Sequence, residues 1–180
     1  MSGTDETLAR MAGSGDRPAL QRLLERHHDT AFRFSYRLLG SRADAQDVAQ
    51  EVCIRLVERV GSYRGDSRFS TWLYQMVLNA CRDHRRRQGR VREMQQGFAA
   101  FAADSQADWA DSDARVRWLY QALGQLKPDL RETALLILAE DVTQDDAATI
   151  LGISAGTVAW RMSEVKKRLR AMADNDDARL

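Results

Sequence analysis

The chain is poor in every residue that would staple it, break it or give it reactive chemistry: two prolines, two cysteines and three histidines in 180 residues. With only Pro18 and Pro128 to interrupt it, long helices can run unbroken, since an interior proline costs a helix ~3 kcal/mol. Cys53 and Cys81 are too few for a disulfide framework, and neither has a second Cys or His at metal-ligand spacing; both sit among apolar residues and read as buried, reduced thiols. His27 and His28 are adjacent and face different directions, and His84 lies in an arginine run where phosphate contact is its simplest role. No nucleophile is accompanied by acids or metal ligands, so neither an enzyme, a metal site nor a cofactor is expected. No stretch of roughly 18 apolar residues exists to span a membrane, and Met1 to Arg10 lacks the basic start and apolar run of an export signal. A cytoplasmic protein without membrane insertion is the expectation.

A strong net charge is absent too. The balance is +1, from 27 basic and 26 acidic residues, and the asymmetry is local: arginines crowd Arg82 to Arg92, and Asp104, Asp108, Asp111 and Asp113 follow. What the chain does have is apolar residues (44%) and charge (29%) in the proportions of a folded, helix-rich protein.

Those apolar residues recur at helical spacing. Asp16 and Pro18 mark a helix start, and Leu20, Leu23, Leu24, His27, Ala31, Phe34 and Leu38 follow until Gly40. Ser41 and Asp44 form a capping box for a second helix with Ala45, Val48, Ala49, Val52, Leu56 and Val60 on its inner face, ended by Gly61. A polar loop from Ser62 to Arg68 leads into a third helix whose core stripe is Phe69, Trp72, Leu73, Met76, Val77 and Ala80. Between about Gly89 and Asp113 the period is lost. It returns with Val116, Leu119, Tyr120, Leu123 and Leu126, pauses at Pro128, and resumes with Leu130, Ala134, Leu135 and Leu138. The expected architecture is all-α: two small helical domains, 1–92 and 113–180, joined by a flexible acidic linker, 93–112.

The sharpest local pattern starts at Thr143, whose T-x-x-D box with Asp146 opens a short helix through Ala147, Ala148, Ile150 and Leu151. Gly152 and Ile153 make a turn, and Ser154 caps a last helix with Val158, Met162, Val165 and Leu169 turned inward. This is a helix-turn-helix pattern. The opposite face carries Gly156, Trp160, Ser163, Glu164 and Lys167, with Arg161 and Lys166 on its flanks, a surface able to enter a major groove.

Three segments add a resemblance that covers most of the chain. The run Asp44-Ala45-Gln46-Asp47-Val48-Ala49-Gln50-Glu51-Val52, the run from Tyr63 to Tyr74 and Gly156-Thr157-Val158 with Arg161 after it resemble the extracytoplasmic-function (ECF) sigma factors of the sigma-70 family. These small subunits direct bacterial RNA polymerase to promoters, and the resemblance implies a sigma factor that recognises and melts promoter DNA and starts transcription. The second helix would then dock on core polymerase through Asp47, Gln50, Glu51, Arg55 and Glu58, an acidic stripe that otherwise reads as a solvated helix face. The third helix and its leading loop would hold the minus-ten element through Tyr63, Arg64, Asp66, Ser67, Thr71, Tyr74, Gln75, Asn79, Arg82, Arg85 and Arg86, with Thr71, Gln75, Leu78, Asn79 and Arg82 opposite the core stripe. The last helix would read the minus-thirty-five element through Ser154, Gly156, Thr157, Trp160, Arg161, Ser163, Glu164, Lys166 and Lys167. The family commonly has a basic residue and a small one between Val158 and Arg161 and another basic residue near 164, where this chain has Ala159, Trp160 and Glu164. A separate anti-sigma protein is the partner the family implies for control. The competing reading is a conventional helix-turn-helix regulator that binds an operator as a dimer.

Overall fold

The structure, a computed structural model, describes residues 3–88 and 114–177, all helix, turn or loop with no strand among them. The chain divides into two compact units, Met1–Met94 and Gln95–Leu180. The linker expected at 93–112, with its aspartates, and neighbouring Asp113 lie outside the described residues.

The first unit opens with a helix that the periodicity did not reveal, α1 (Asp5–Gly13). Thr4 caps it by accepting from the Thr7 amide, Asp5 and Glu6 stand at the positive end of its dipole, and Leu8, Ala9 and Ala12 are buried. Nine residues are too few to hold a helix by propensity, so docking must supply its stability. That docking is close. A Cβ on Gly13 would stand 3.2 Å from both the Gly61 Cα and the Val60 carbonyl oxygen, so the end of α1 lies backbone to backbone against the turn after α3.

The helix α2 (Arg17–Leu39) starts where expected, with Asp16 accepting from the Ala19 amide at 3.0 Å and Gly40 closing it in the left-handed conformation. In α3 (Arg42–Arg59) the Ser41 hydroxyl accepts from the Asp44 amide, and a 3₁₀ turn over Val60–Ser62 follows, so that the expected stop at Gly61 falls inside this turn. The fourth helix, α4 (Phe69–Gln88), packs against α1, α2 and α3 around a core that includes Leu8, Leu23, Phe34, Leu38, Val48, Leu56, Phe69 and Leu73.

The second unit comprises α5 (Ala114–Gly124), α6 (Pro128–Leu138), α7 (Gln144–Leu151) and α8 (Ala155–Asp177). Thr143 caps α7 by accepting from the Asp146 amide at 3.2 Å, and Ser154 caps α8 by accepting from the Thr157 amide at 3.1 Å. Between them Gly152 takes φ 68°, a conformation that a side chain disfavours. Val158, Met162 and Val165 are buried where α8 meets α6 and α7, so the helix-turn-helix is formed as expected.

Candidate functional site

Three surfaces are in question, and the first is the outer face of α3. The acidic stripe expected there divides in two. Asp47, Gln50 and Glu58 are exposed, whereas Glu51 and Arg55 turn toward α4. The Arg55 guanidinium donates to Glu51 at 2.5 Å and to Asp83 at 3.3 Å, and Arg87 donates to the other Glu51 oxygen at 2.7 Å. Burial works against the Glu51 carboxylate, but the hydrogen bonds from Arg87 and Arg55 outweigh it and hold its pKa below the ordinary value. Two turns toward the N-terminus of α3, His84 Nε2 lies 3.1 Å from Asp44 Oδ1, extending the polar seam that ties α3 to α4. What completes the outward stripe is apolar. Ile54 is 60% exposed and Val57 50%, and Asp47, Gln50, Ile54, Val57 and Glu58 follow one another at helical spacing. Neither Ile54 nor Val57 is among the residues expected on this face, yet both are apolar and out of phase with the core positions of their helix, which is the signal that marks them.

The second surface is α4 with the loop before it. Here the expected outward face is corrected at four places. Thr71 and Leu78 are 3% and 0% exposed and Tyr74 is also buried, because α4 is covered by three helices rather than one; Tyr63, in the loop before it, is buried too. Tyr63 belongs to the interior: its hydroxyl donates to the Ser67 carbonyl at 2.7 Å and its ring meets Phe69 edge-on at 5.6 Å. Burial pushes its phenol pKa up. Pinned this way, the loop turns Arg64, Asp66 and Arg68 to solvent, leaving Ser67 half-buried. Tyr74 packs edge-on to Phe34 at 5.1 Å. Trp72, expected in the core, is only half-buried; one side of it meets Tyr63 and Phe69, at 5.5 and 5.8 Å. It heads a stripe of Gln75, Asn79, Arg82 and Arg86, of which Asn79 and Arg86 are exposed and Gln75 and Arg82 half-buried. Arg85 is drawn inward, donating to the Leu38 carbonyl, and Arg86 lies 3.7 Å from Asp83.

The third surface is the first half of α8. Gly156, Ser163, Lys166 and Lys167 are exposed, and Trp160 is 63% exposed. Four of the expected DNA-reading residues, Ser154, Thr157, Arg161 and Glu164, are engaged within the domain. The Thr157 hydroxyl is 2.9 Å from the Ser154 hydroxyl, the Arg161 guanidinium lies 3.7 Å from the Asp129 carboxylate and 3.5 Å from Thr133 Oγ1, and Glu164 accepts from Arg168 at 2.7 Å.

No helix among the described residues is long and apolar enough to cross a membrane, and no three His, Cys, Asp or Glu side chains among them are grouped to hold a metal ion. Cys81 is buried; Cys53 is half-buried, and burial raises its pKa, which keeps the thiol protonated and unreactive.

With these surfaces in place, the comparisons with known proteins decide the family. The model for sigma-70 region 2 matches residues 23–91, and the model for sigma-70 region 4 matches residues 116–169. Thirty per cent identity over 159 residues, covering 88% of this chain and 91% of the relative, links it to the RNA polymerase sigma factor CarQ of Myxococcus xanthus. The chain belongs to the ECF sigma factors of the sigma-70 family. The sigma-H factor of Pseudomonas aeruginosa is 29% identical over 92% of this chain and 91% of its own length. SigE of Mycolicibacterium smegmatis is 31% identical over 85% of this chain, which spans 61% of that longer relative. Among solved structures, CnrH in complex with the cytosolic domain of CnrY matches with a TM-score of 0.70 and 25% identity, over 96% of this chain and 98% of the other. As a member of this family the ECF sigma factor acts in transcription initiation, and the operator-regulator reading gives way.

Proposed function

We propose that this sigma factor meets its partners through three separate faces. Core polymerase takes the outward stripe of α3: Asp47, Gln50, Ile54, Val57 and Glu58. The minus-ten element takes the tip of the loop, Arg64, Asp66 and Arg68, together with the α4 stripe of Trp72, Gln75, Asn79, Arg82 and Arg86. The minus-thirty-five element takes α8. In this reading the protein works in the cytoplasm without catalysing a reaction: it positions polymerase and stabilises opened DNA. A melted base needs a flat apolar surface and a polar edge, with cations along the backbone, and stacking is worth ~1–3 kcal/mol per base. Half-buried Trp72, exposed Asn79 two turns along the same stripe and the arginines beyond supply those three things.

The observation that carries the polymerase face is the pairing of exposed Ile54 and Val57 with flanking acids. Two large aliphatic side chains left in water on one helix face are a feature of interaction sites, whose centres are apolar and whose rims are charged. Glu51 and Arg55 support that face from behind by fixing α3 against α4. The solved CnrH has the cytosolic domain of CnrY bound; by analogy, an anti-sigma protein restrains this chain by covering the faces that polymerase and DNA need.

Run-off transcription from a promoter library, using core polymerase with and without the protein, tests this. Protein-dependent transcripts lost in an Asp47→Lys, Ile54→Ser double variant that still folds are the expected result. Tight duplex binding by the protein alone, with no dependent transcripts, would overturn it.

A further inference from the structure

We propose that this chain reads its minus-thirty-five element largely through thymine methyl groups, with Trp160 as the reading residue and Ala159 beside it. The inference rests on α8 entering the major groove. In helix-turn-helix proteins the first turns of the second helix contact base edges, and here those turns run from Ala155 to about Ser163. Hydrogen-bonding side chains there are largely engaged inside the domain. Thr157 is held by the Ser154 cap, Arg161 is half-buried against Asp129 and Thr133 of α6, and Glu164 is tied to Arg168 one turn on. These contacts compete with base reading: Glu164 shares its carboxylate with Arg168, and Arg161 must leave Asp129 and Thr133 to reach a guanine.

What faces outward in their place is small or apolar. Ala155, Gly156 and Ala159 are exposed, and a Cβ placed on Gly156 would find only the Ser154 hydroxyl, 3.8 Å away, so the helix is thin beside Trp160. The indole, 63% exposed, is the one large side chain to project from this stretch. Its surroundings choose between a nucleic-acid and a protein partner: Lys166, Lys167 and Arg170 are exposed on the following turns, a cationic continuation suited to phosphates. The thymine C5 methyl is the one apolar group that the major groove displays, and an apolar side chain is what discriminates it. Ser163 remains as a single hydroxyl able to bond a base edge.

The experiment uses holoenzyme formed from the full chain and core polymerase. Selection from a randomised library first yields the upstream element. Each thymine in it is then replaced by deoxyuridine, which removes the methyl and leaves every hydrogen-bonding group intact. At one or two positions the replacement should weaken promoter binding about fourfold, the equivalent of ~0.8 kcal/mol for one buried carbon. The exposed Trp160 can be changed without unfolding the domain: Trp160→Ala should bind more weakly and lose the thymine-over-uracil difference, and Trp160→Phe should keep part of it. Equal binding of thymine and uracil at every position by the native chain would overturn the inference while leaving the sigma assignment of α8 intact, as would a Trp160→Ala variant that retains the full penalty. If the holoenzyme enriched no upstream sequence, the groove reading of α8 and this inference would fall together.

Discussion

Ile54→Ala separates a polymerase-binding surface from an ordinary solvated helix. The side chain is 60% exposed in the chain alone, so most of its burial energy remains to be realised on binding. Full burial of an isoleucine is worth ~1.5–3 kcal/mol, so the uncovered part amounts to about 1–2 kcal/mol. If polymerase covers it, the variant should lose roughly 5–30-fold in affinity. Its folding stability should hardly change, since exposed substitutions usually fall within about 0.5 kcal/mol. The assay is competition with labelled native chain for core polymerase, run beside a thermal melt of each protein alone. Ionic strength sharpens it: the Ile54 effect should persist at high salt, where contributions from Asp47 and Glu58 are screened. Binding within twofold of the native chain, at an unchanged melting temperature, would refute the assignment of this face.

Glu51→Gln should act differently, destabilising the first unit by about 0.5–1.5 kcal/mol in a denaturant titration because Arg55 and solvent-exposed Arg87 lose a charged acceptor, while leaving polymerase affinity of the folded protein nearly intact. Gly152→Ala should cost about 1 kcal/mol in thermal unfolding of the second unit from backbone strain alone, as φ is 68° there and no atom lies within 4 Å of the new Cβ. The His27 pKa is lowered from its ordinary 6.5 by burial, which outweighs the pull of Asp5 in the other direction. The unfolded chain therefore binds the proton more readily, and stability should fall as pH drops through about 6.5, levelling off below the folded pKa; His27→Gln should remove this part of the pH profile.

Helix-turn-helix and bundle helices were legible because caps and core stripes speak together: Asp16, Ser41, Thr143 and Ser154 all cap as their sequence neighbours implied. The helix α1 was not legible, since Leu8, Ala9 and Ala12 make a faint stripe and its docking depends on glycines that meet only in three dimensions. Facing on α4 failed for a related reason. A helix wrapped on several sides has no single polar face, so Thr71 and Tyr74, polar enough to look outward in sequence, were covered, while Tyr63 in the loop before it was folded inward onto Phe69 and the Ser67 carbonyl. The candidate DNA residues Arg161 and Glu164 were correctly located on α8, but pairing with side chains on α6 or a turn away is invisible to a helical wheel.

One hydrogen bond links the two ends of the first unit. The Glu6 carboxylate accepts from the Phe69 amide at 3.2 Å, and its own amide and that of Phe69 hold its pKa down, so the first helix of the chain supplies the cap for the last helix of the unit. The Phe69 amide is thus a built-in reporter. Its exchange with solvent deuterium records every excursion in which α1 lifts away, even while the remaining three helices stay packed.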